Sequence, residues 1–255
     1  MTELLSISGL TRSFYGVQAL RGVEFTVHAG SITALIGPNG AGKTTAFQCI
    51  SGVVPPDGGI VRFNGQDITG WRPDRITGAG LTRTFQIARG ISRLSVLDNL
   101  LLYAPHQPGE ALLSATFGGG GATAEAEARK RAVEIARRLN LTRVLGQAAG
   151  ALSGGQKKLL EIGRALMAQP KMILLDEPIA GVNPTLAEEI AEHLRELCRE
   201  GITFLVIEHH MDLIARLCDP VIVMAEGRKL TEGRFADVAN DPAVQEAYLG
   251  RRRFA

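Results

Sequence analysis

The chain has 255 residues, enough to bury a full core as one large domain or as a domain with a subdomain. Its 28 Lys/Arg and 26 Asp/Glu leave a net charge of +2, so no strong field for nucleic acid or membrane follows, and Arg251-Arg252-Arg253 reads as a solvated basic end. The three scattered cysteines, Cys49, Cys198 and Cys218, fit neither a disulfide framework nor a zinc spacing and are expected as free thiols in a reducing compartment.

No apolar run approaches the ~20 residues that span a bilayer. Residues 1–6 lack the basic-then-apolar order of a secretion signal. Any work at a membrane is therefore expected to need anchoring by another chain. Residues 3–36 read as β structure. Within them, Val23 to His28 alternates apolar and polar, as a half-buried strand does. Tyr15 stands beside Gly16 in this region; taken alone it is expected in the core, with a face stacked on a base as its second reading.

The apolar run 32–36 leads into Gly37-Pro38-Asn39-Gly40-Ala41-Gly42-Lys43-Thr44-Thr45, which an apolar helical segment follows. Strand, glycine loop and helix in this order form the context of a phosphate-cradling loop. Glycines let backbone N–H groups turn inward without a Cβ in the way. The helix N-terminus adds its dipole to those hydrogen bonds. Lys43 would neutralise the β- and γ-phosphates, and the Thr44 hydroxyl would ligate Mg²⁺.

A helix over residues 45–53 stops before Pro55-Pro56. Next come a hairpin (60–63, an Asn64-Gly65 turn, 66–68) and a short helix over 73–79. Residues 81–86 read as a buried strand ending at Gln86. Helices are expected over 94–102 and 124–139, the latter with an exposed charged face. Residues 105–123, with Gly118 to Gly121, read as a flexible excursion. Residues 88–165 are thus expected as a mostly helical insertion. Alternating strands and helices resume afterwards: strands at 171–176, 202–207, 220–225 and 229–231, a helix at 184–199 capped by Asn183, and a helix from about 211. This order predicts an open, mostly parallel α/β sheet.

Four further stretches carry chemistry. Asp176-Glu177 ends an apolar strand, at the edge where ligands of α/β sheets collect. Asp176 suits a Mg²⁺ position and Glu177 a general base that polarises the attacking water. Leu152-Ser153-Gly154-Gly155-Gln156 opens a helix. Its serine and glutamine make a capping box, but two glycines in the first turn cost stability and point to a second phosphate site. Gln86 lies where the frame meets the insertion. His209 follows the strand 202–207 and would donate to a γ-phosphate until hydrolysis removes it. A metal cluster at Glu208-His209-His210 is disfavoured, because adjacent side chains of an extended segment face opposite ways.

The order Tyr15, Gly37 to Thr44, Gln86, Leu152 to Gln156, Asp176-Glu177 and His209 resembles an ATP-binding-cassette ATPase over nearly the whole chain. The resemblance implies a phosphate-loop ATPase core of residues 1–87 and 166–255, with an N-terminal antiparallel β subdomain and the helical subdomain. It implies that Tyr15 stacks on adenine, and that Gln86 touches Mg²⁺ and couples to a membrane subunit. It also implies a head-to-tail dimer in which Ser153 to Gln156 of one subunit close over the ATP of the other. Gly80 to Gln86, Ala180 to Pro184, Ile207 to Met211 and Glu246 to Gly250 further resemble the subfamily that energises uptake of branched-chain amino acids. Members of that subfamily commonly carry His-Asp where this chain has His209-His210. The partners so implied are permease subunits, a second ATPase subunit of the same or a paired kind, and a solute-binding protein reached through the permease, with the ATPase peripheral on the cytoplasmic face. Urea or amide importers and lipopolysaccharide-transport exporters share many of these marks. A soluble DNA-repair or translation cassette is disfavoured, because no sustained heptads lie between Lys43 and Ser153 and the chain has a single phosphate loop. A GTP-binding switch is disfavoured by the absence of Asn-Lys-x-Asp.

Overall fold

The computed structural model describes residues 2–84, 91–105 and 121–249. The chain divides into two compact units, one of Met1–Arg83, Lys171–Pro178 and Leu194–Ala255, the other of Thr84–Pro170 and Ile179–His193. In chain order the elements are β1 (Glu3–Phe14), β2 (Val17–His28), β3 (Ile32–Ile36), α1 (Lys43–Ile50), β4 (Gly58–Phe63), β5 (Gln66–Asp67), α2 (Pro73–Gly78) and β6 (Leu81–Arg83). Then follow α3 (Val96–Leu101), α4 (Gly121–Arg138) and α5 (Gly154–Met167). The chain continues with β7 (Met172–Asp176), α6 (Pro184–Arg199), β8 (Thr203–Ile207), α7 (Met211–Leu217), β9 (Val221–Ala225), β10 (Arg228–Gly233), α8 (Phe235–Ala239) and α9 (Pro242–Leu249).

The first unit holds two sheets. One is four-stranded in the order β2-β1-β4-β5, with antiparallel pairs; the other is six-stranded in the order β10-β9-β3-β8-β7-β6. The larger sheet is parallel except at its β9–β10 edge. Every residue of β3 and β8 is buried, which is why these strands read as unbroken apolar runs rather than alternating ones. Leu35, Leu174, Leu205 and Ile222 of this sheet share a core with Phe47 and Ile50 of α1 and with Leu5, Leu20 and Phe63 of the smaller sheet. The strand order places β3 between β9 and β8, so the loops leaving β3, β8 and β7 emerge at one carboxyl edge. Register confirms this, with Asp176 opposite Ile207.

Three two-residue hairpin turns are built alike. Tyr15-Gly16 joins paired Phe14 and Val17, Asn64-Gly65 joins Phe63 and Gln66, and Glu226-Gly227 joins Ala225 and Arg228. All six turn residues have positive φ, from 48° to 84°, the type I′ geometry whose twist matches that of the strands. Here the core expectation for Tyr15 fails. The turn places it fully exposed at the hairpin tip, in a left-handed conformation at φ 48°. Asn64 suits that conformation; a tyrosine does not.

In the second unit α3, α4 and α5 pack through Val96, Leu100, Ala132, Ile135, Leu139 and Ile162. Arg164, buried on α5, donates to the side-chain oxygen of Asn99 and lies over the Tyr103 ring. Asn183 caps α6 by accepting the Leu186 N–H at 2.9 Å.

Several boundaries differ from the sequence expectation. α1 starts at Lys43 and ends at Ile50, where the Ser51 hydroxyl turns back to the Phe47 carbonyl. α3 starts behind Ser95, which accepts the Asp98 N–H. α4 begins at Gly121, inside the segment expected as a flexible excursion. The rest of that excursion, residues 106–120, lies outside the described residues, as does Gln86. The short helices α8 and α9 follow the last strand and were not anticipated.

The Tyr15 turn yields a direct test. Asparagine populates the left-handed region at far lower cost, so Tyr15→Asn is expected to stabilise the folded protein by about 1 kcal/mol. Chemical denaturation of the two proteins measures the difference; a less stable variant would mean that the ring has packing partners at the tip.

Candidate functional site

The glycine loop is held by the sheet beneath it. Gly37 has φ 148°, and a Cβ there would lie 2.0 Å from the backbone oxygen of Met224 on the neighbouring β9, so only glycine fits. Asn39 and Gly40 are exposed, while Ala41 is buried and its N–H bonds to the Pro38 carbonyl at 3.2 Å. Gly42 occupies the N-cap of α1 with φ 99° and offers no side-chain cap, which leaves the first-turn N–H groups bare. Thr44 is exposed and Thr45 half-buried on that turn.

Lys43 is only 6% exposed. Its Nζ donates to the carbonyls of Gly37 at 2.7 Å and Pro38 at 3.0 Å, so the loop wraps its own cation. Burial draws the lysine pKa below its usual value, while the charges of Glu177 and Asp176 oppose that shift. Loop, lysine and both carboxylates therefore occupy one electrostatic site.

Asp176 closes β7 and pairs with Arg83 of β6 at 2.9 Å. The Arg83 guanidinium also lies 5.8 Å from the centroid of the Phe47 ring. Glu177, the next residue, has φ 49° and anchors its N–H on the Ile207 carbonyl at 2.9 Å. A left-handed glutamate is uncommon, and such strain concentrates at functional sites. Its carboxylate meets His209 Nε2 at 3.2 Å. Glu208, 2% exposed, accepts the His209 N–H at 3.0 Å and meets His210 Nδ1 at 3.1 Å. Glu208 and His210 thus face one way and His209 the other, as alternation requires.

The structure brings together Gly37, Pro38, Lys43, Asp176, Glu177 and His209 at the carboxyl edge of the sheet. Tyr15 stands apart at its own hairpin tip. Arg83 and Glu208 were missed by sequence reasoning. Arg83 left one signal, a cation in a short apolar strand; Glu208 left its i, i+2 spacing from His210.

In the second unit, Ser153 caps α5 in a reciprocal box. Its hydroxyl accepts the Gln156 N–H at 3.3 Å, and Gln156 Oε1 accepts the Ser153 N–H at 3.0 Å. The two glycines between them have different reasons to be there. A Cβ on Gly154 would meet nothing within 4 Å, whereas one on Gly155 would fall 1.7 Å from Leu186 Cδ2 on α6. A Cβ at position 155 would therefore have to displace the Leu186 side chain. Gly154 has no such constraint, and its bare backbone faces open space.

Comparison with known proteins places this geometry in context. A family profile described as ABC transporter matches residues 20–180, and one described as branched-chain amino acid ATP-binding cassette transporter matches residues 228–253. The chain is similar to the probable branched-chain amino acid transport ATP-binding protein LivG of Archaeoglobus fulgidus, at 42% identity covering 97% of this chain and 96% of that protein. It is similar to the high-affinity branched-chain amino acid transport ATP-binding protein BraF of Pseudomonas aeruginosa, at 36% identity covering 97% and 98%. Among solved structures it resembles the ADP conformation of an ATP-binding cassette of an ABC transporter, with TM-score 0.87 and 42% identity over 98% of this chain and 100% of that one.

The packing beneath Gly155 can be tested without any ligand. Gly155→Ala is expected to destabilise by about 1–3 kcal/mol, the range for overpacking, and Leu186→Ala in the same chain to restore part of that loss. Denaturant melts of the two single variants and the double variant measure the coupling; simple additivity would contradict the contact.

Proposed function

The chain belongs to the ATP-binding-cassette transporter family as an ATP-hydrolysing subunit, and we propose that it energises import of branched-chain or related hydrophobic amino acids through separate permease subunits. The C-terminal profile match and the names of the full-length relatives support that substrate class. The site assignment rests on one observation above all: a buried lysine, wrapped by a glycine loop, in the field of two carboxylates at the edge of a parallel sheet.

In this reading Lys43 exchanges the carbonyls of Gly37 and Pro38 for the β- and γ-phosphates, and the N–H groups of Gly40 and of Gly42 to Thr45 complete the cradle. The Thr44 hydroxyl and the Asp176 carboxylate are oxygen donors suited to a hard cation. They would hold Mg²⁺ together with Gln86, and the ion supplies charge neutralisation at the phosphate oxygens. Arg83 holds Asp176 in place from the neighbouring strand. Glu177 polarises the attacking water, and His209, in contact with Glu177, stands ready to donate to the γ-phosphate. Tyr15, displayed on a strained turn with no packing role, offers its face to the adenine.

Ser153 to Gln156 would close over the ATP of a second ATPase subunit in a head-to-tail dimer. In the cell we favour a paired, non-identical subunit over a second copy. The complex would sit at the cytoplasmic face of the membrane as a peripheral ATPase, with a solute-binding protein reaching it through the permease. No described helix is long and apolar enough to cross a membrane, so the permeases must supply the span.

Two variants test these roles. Glu177→Gln is expected to keep ATP binding while phosphate release falls by about 10²–10⁴-fold, the usual contribution of a general base. Full turnover in that variant would remove Glu177 from the role. Ser153→Arg should leave nucleotide binding by the monomer intact yet prevent ATP-dependent dimerisation. Light scattering with and without ATP reads the difference, and a dimer that forms as in the parent protein would count against closure by this segment.

A further inference from the structure

Glu208 has no part in the chemistry assigned above, yet among the described residues it is the one buried carboxylate, at 2% exposure. Burying an ion is costly unless donors replace the lost water, and an uncharged side chain of similar volume would fill the space at less cost. Stability alone therefore gives no reason for a carboxylate here. Its Oε2 accepts the backbone N–H of His209 at 3.0 Å and meets the His210 ring at Nδ1, 3.1 Å away. His210 is the N-cap residue of α7, but its side chain makes no capping bond to that helix; the ring turns to Glu208 instead.

This arrangement bears on where the neighbouring imidazole stands. Residues 208–210 lie between the end of β8 at Ile207 and the start of α7 at Met211, so the regular bonds of strand and helix do not set the direction of His209. Packing does little to hold its ring either, because the side chains of His209 and Glu177 are 42% and 47% exposed. The backbone has to do it. At one end of the connection the Ile207 carbonyl accepts the Glu177 N–H at 2.9 Å. Two residues on, Glu208 grips the peptide that carries the imidazole, and a bond to an ionised acceptor is about twice as strong as one to a neutral acceptor. The imidazole Nε2 then stands 3.2 Å from the Glu177 carboxylate.

We propose that Glu208 is a positioning residue for His209, its buried carboxylate fixing the peptide from which the imidazole projects so that Nε2 keeps its place beside Glu177 and reaches the γ-phosphate. The proposal rests on the assignment of His209 as the donor to that phosphate.

Glu208→Met in the full chain removes the acceptor and keeps most of the volume. Phosphate release at saturating ATP is expected to fall about ten- to hundredfold, the effect of one lost hydrogen bond to a charged group, while the Kd for ATP stays within about twofold of the parent. The His209 amide of this variant should exchange its hydrogen faster than in the parent. Glu208→Gln, which keeps a neutral acceptor, should give a rate between the two. In a His209→Ala background Glu208→Met should cost nothing further, because it acts through that ring. A carboxylate with only a structural role would lower kcat in both backgrounds or weaken ATP binding. Parental kcat in Glu208→Met, a further loss in the double variant, or a raised Kd at constant kcat would overturn the proposal. Should Glu208→Met not fold, Glu208→Gln in the two backgrounds gives the same reading, with a fall of about threefold expected beside His209 and none without it. Parental turnover in His209→Ala alone would overturn the assignment of His209 and the proposal with it, and that single variant separates this case from the others.

Discussion

A buried ammonium is the constraint on which this structure turns. A lysine 6% exposed cannot keep its charge in an apolar interior unless polar groups replace water, because an unpaired buried ion costs several kcal/mol. Two carbonyls of the glycine loop do so directly, and two carboxylates from the end of β7 do so at longer range. Each demands something of the surrounding chain. The carbonyls point inward only if the loop begins with a residue at φ 148° pressed against β9. The carboxylates arrive only if β7 runs parallel to β8 and β8 to β3. All of these satisfy the lysine through exchangeable contacts, which is what a phosphate-binding cation needs. A permanent partner would hold it too firmly, and no partner would neutralise it.

The parallel sheet therefore does more than form a core. Its order brings the ends of three strands to a common edge, and the residues just beyond them carry the unusual conformations. Glu177 accepts a left-handed backbone in order to leave β7 with its N–H on Ile207 and its carboxylate at His209. Glu208, buried one residue before that histidine, fixes the turn by taking the His209 N–H. Arg83 holds Asp176 from the adjacent strand. Asp176, Glu177 and His209 thus each have a second residue that sets their direction, and it lies on or just beyond a strand of the sheet, whereas Lys43 is directed by the carbonyls of the glycine loop.

Much of this was legible in the amino-acid sequence, for reasons that can be named. A glycine loop between a buried strand and a helix has few alternative uses, and a reciprocal box such as Ser153 with Gln156 is written in adjacent residues. Asn64-Gly65 announces its turn because both residues tolerate positive φ. What could not be read depends on contacts between distant parts of the chain. The partner of Arg83 is 93 positions away, and nothing local to Gly155 reveals Leu186 on another helix. Tyr15 misled because aromatic burial is the commoner outcome; a two-residue hairpin overrode it and turned the ring outward. The terminal helices α8 and α9, five and eight residues long, are too short for an apolar period to stand out. Their side chains line an apolar cavity together with Ile36 at the end of β3.

The central claim is that this site drives a permease. It is tested most directly by isolating the protein from native membranes under mild detergent and identifying the chains that accompany it by mass spectrometry. The account predicts two membrane-spanning permeases and a second ATPase, with a solute-binding protein that can then be screened against branched-chain amino acids. Recovery with ribosomes or DNA-repair proteins, and without any permease, would leave the ATPase chemistry in place and contradict the transport function.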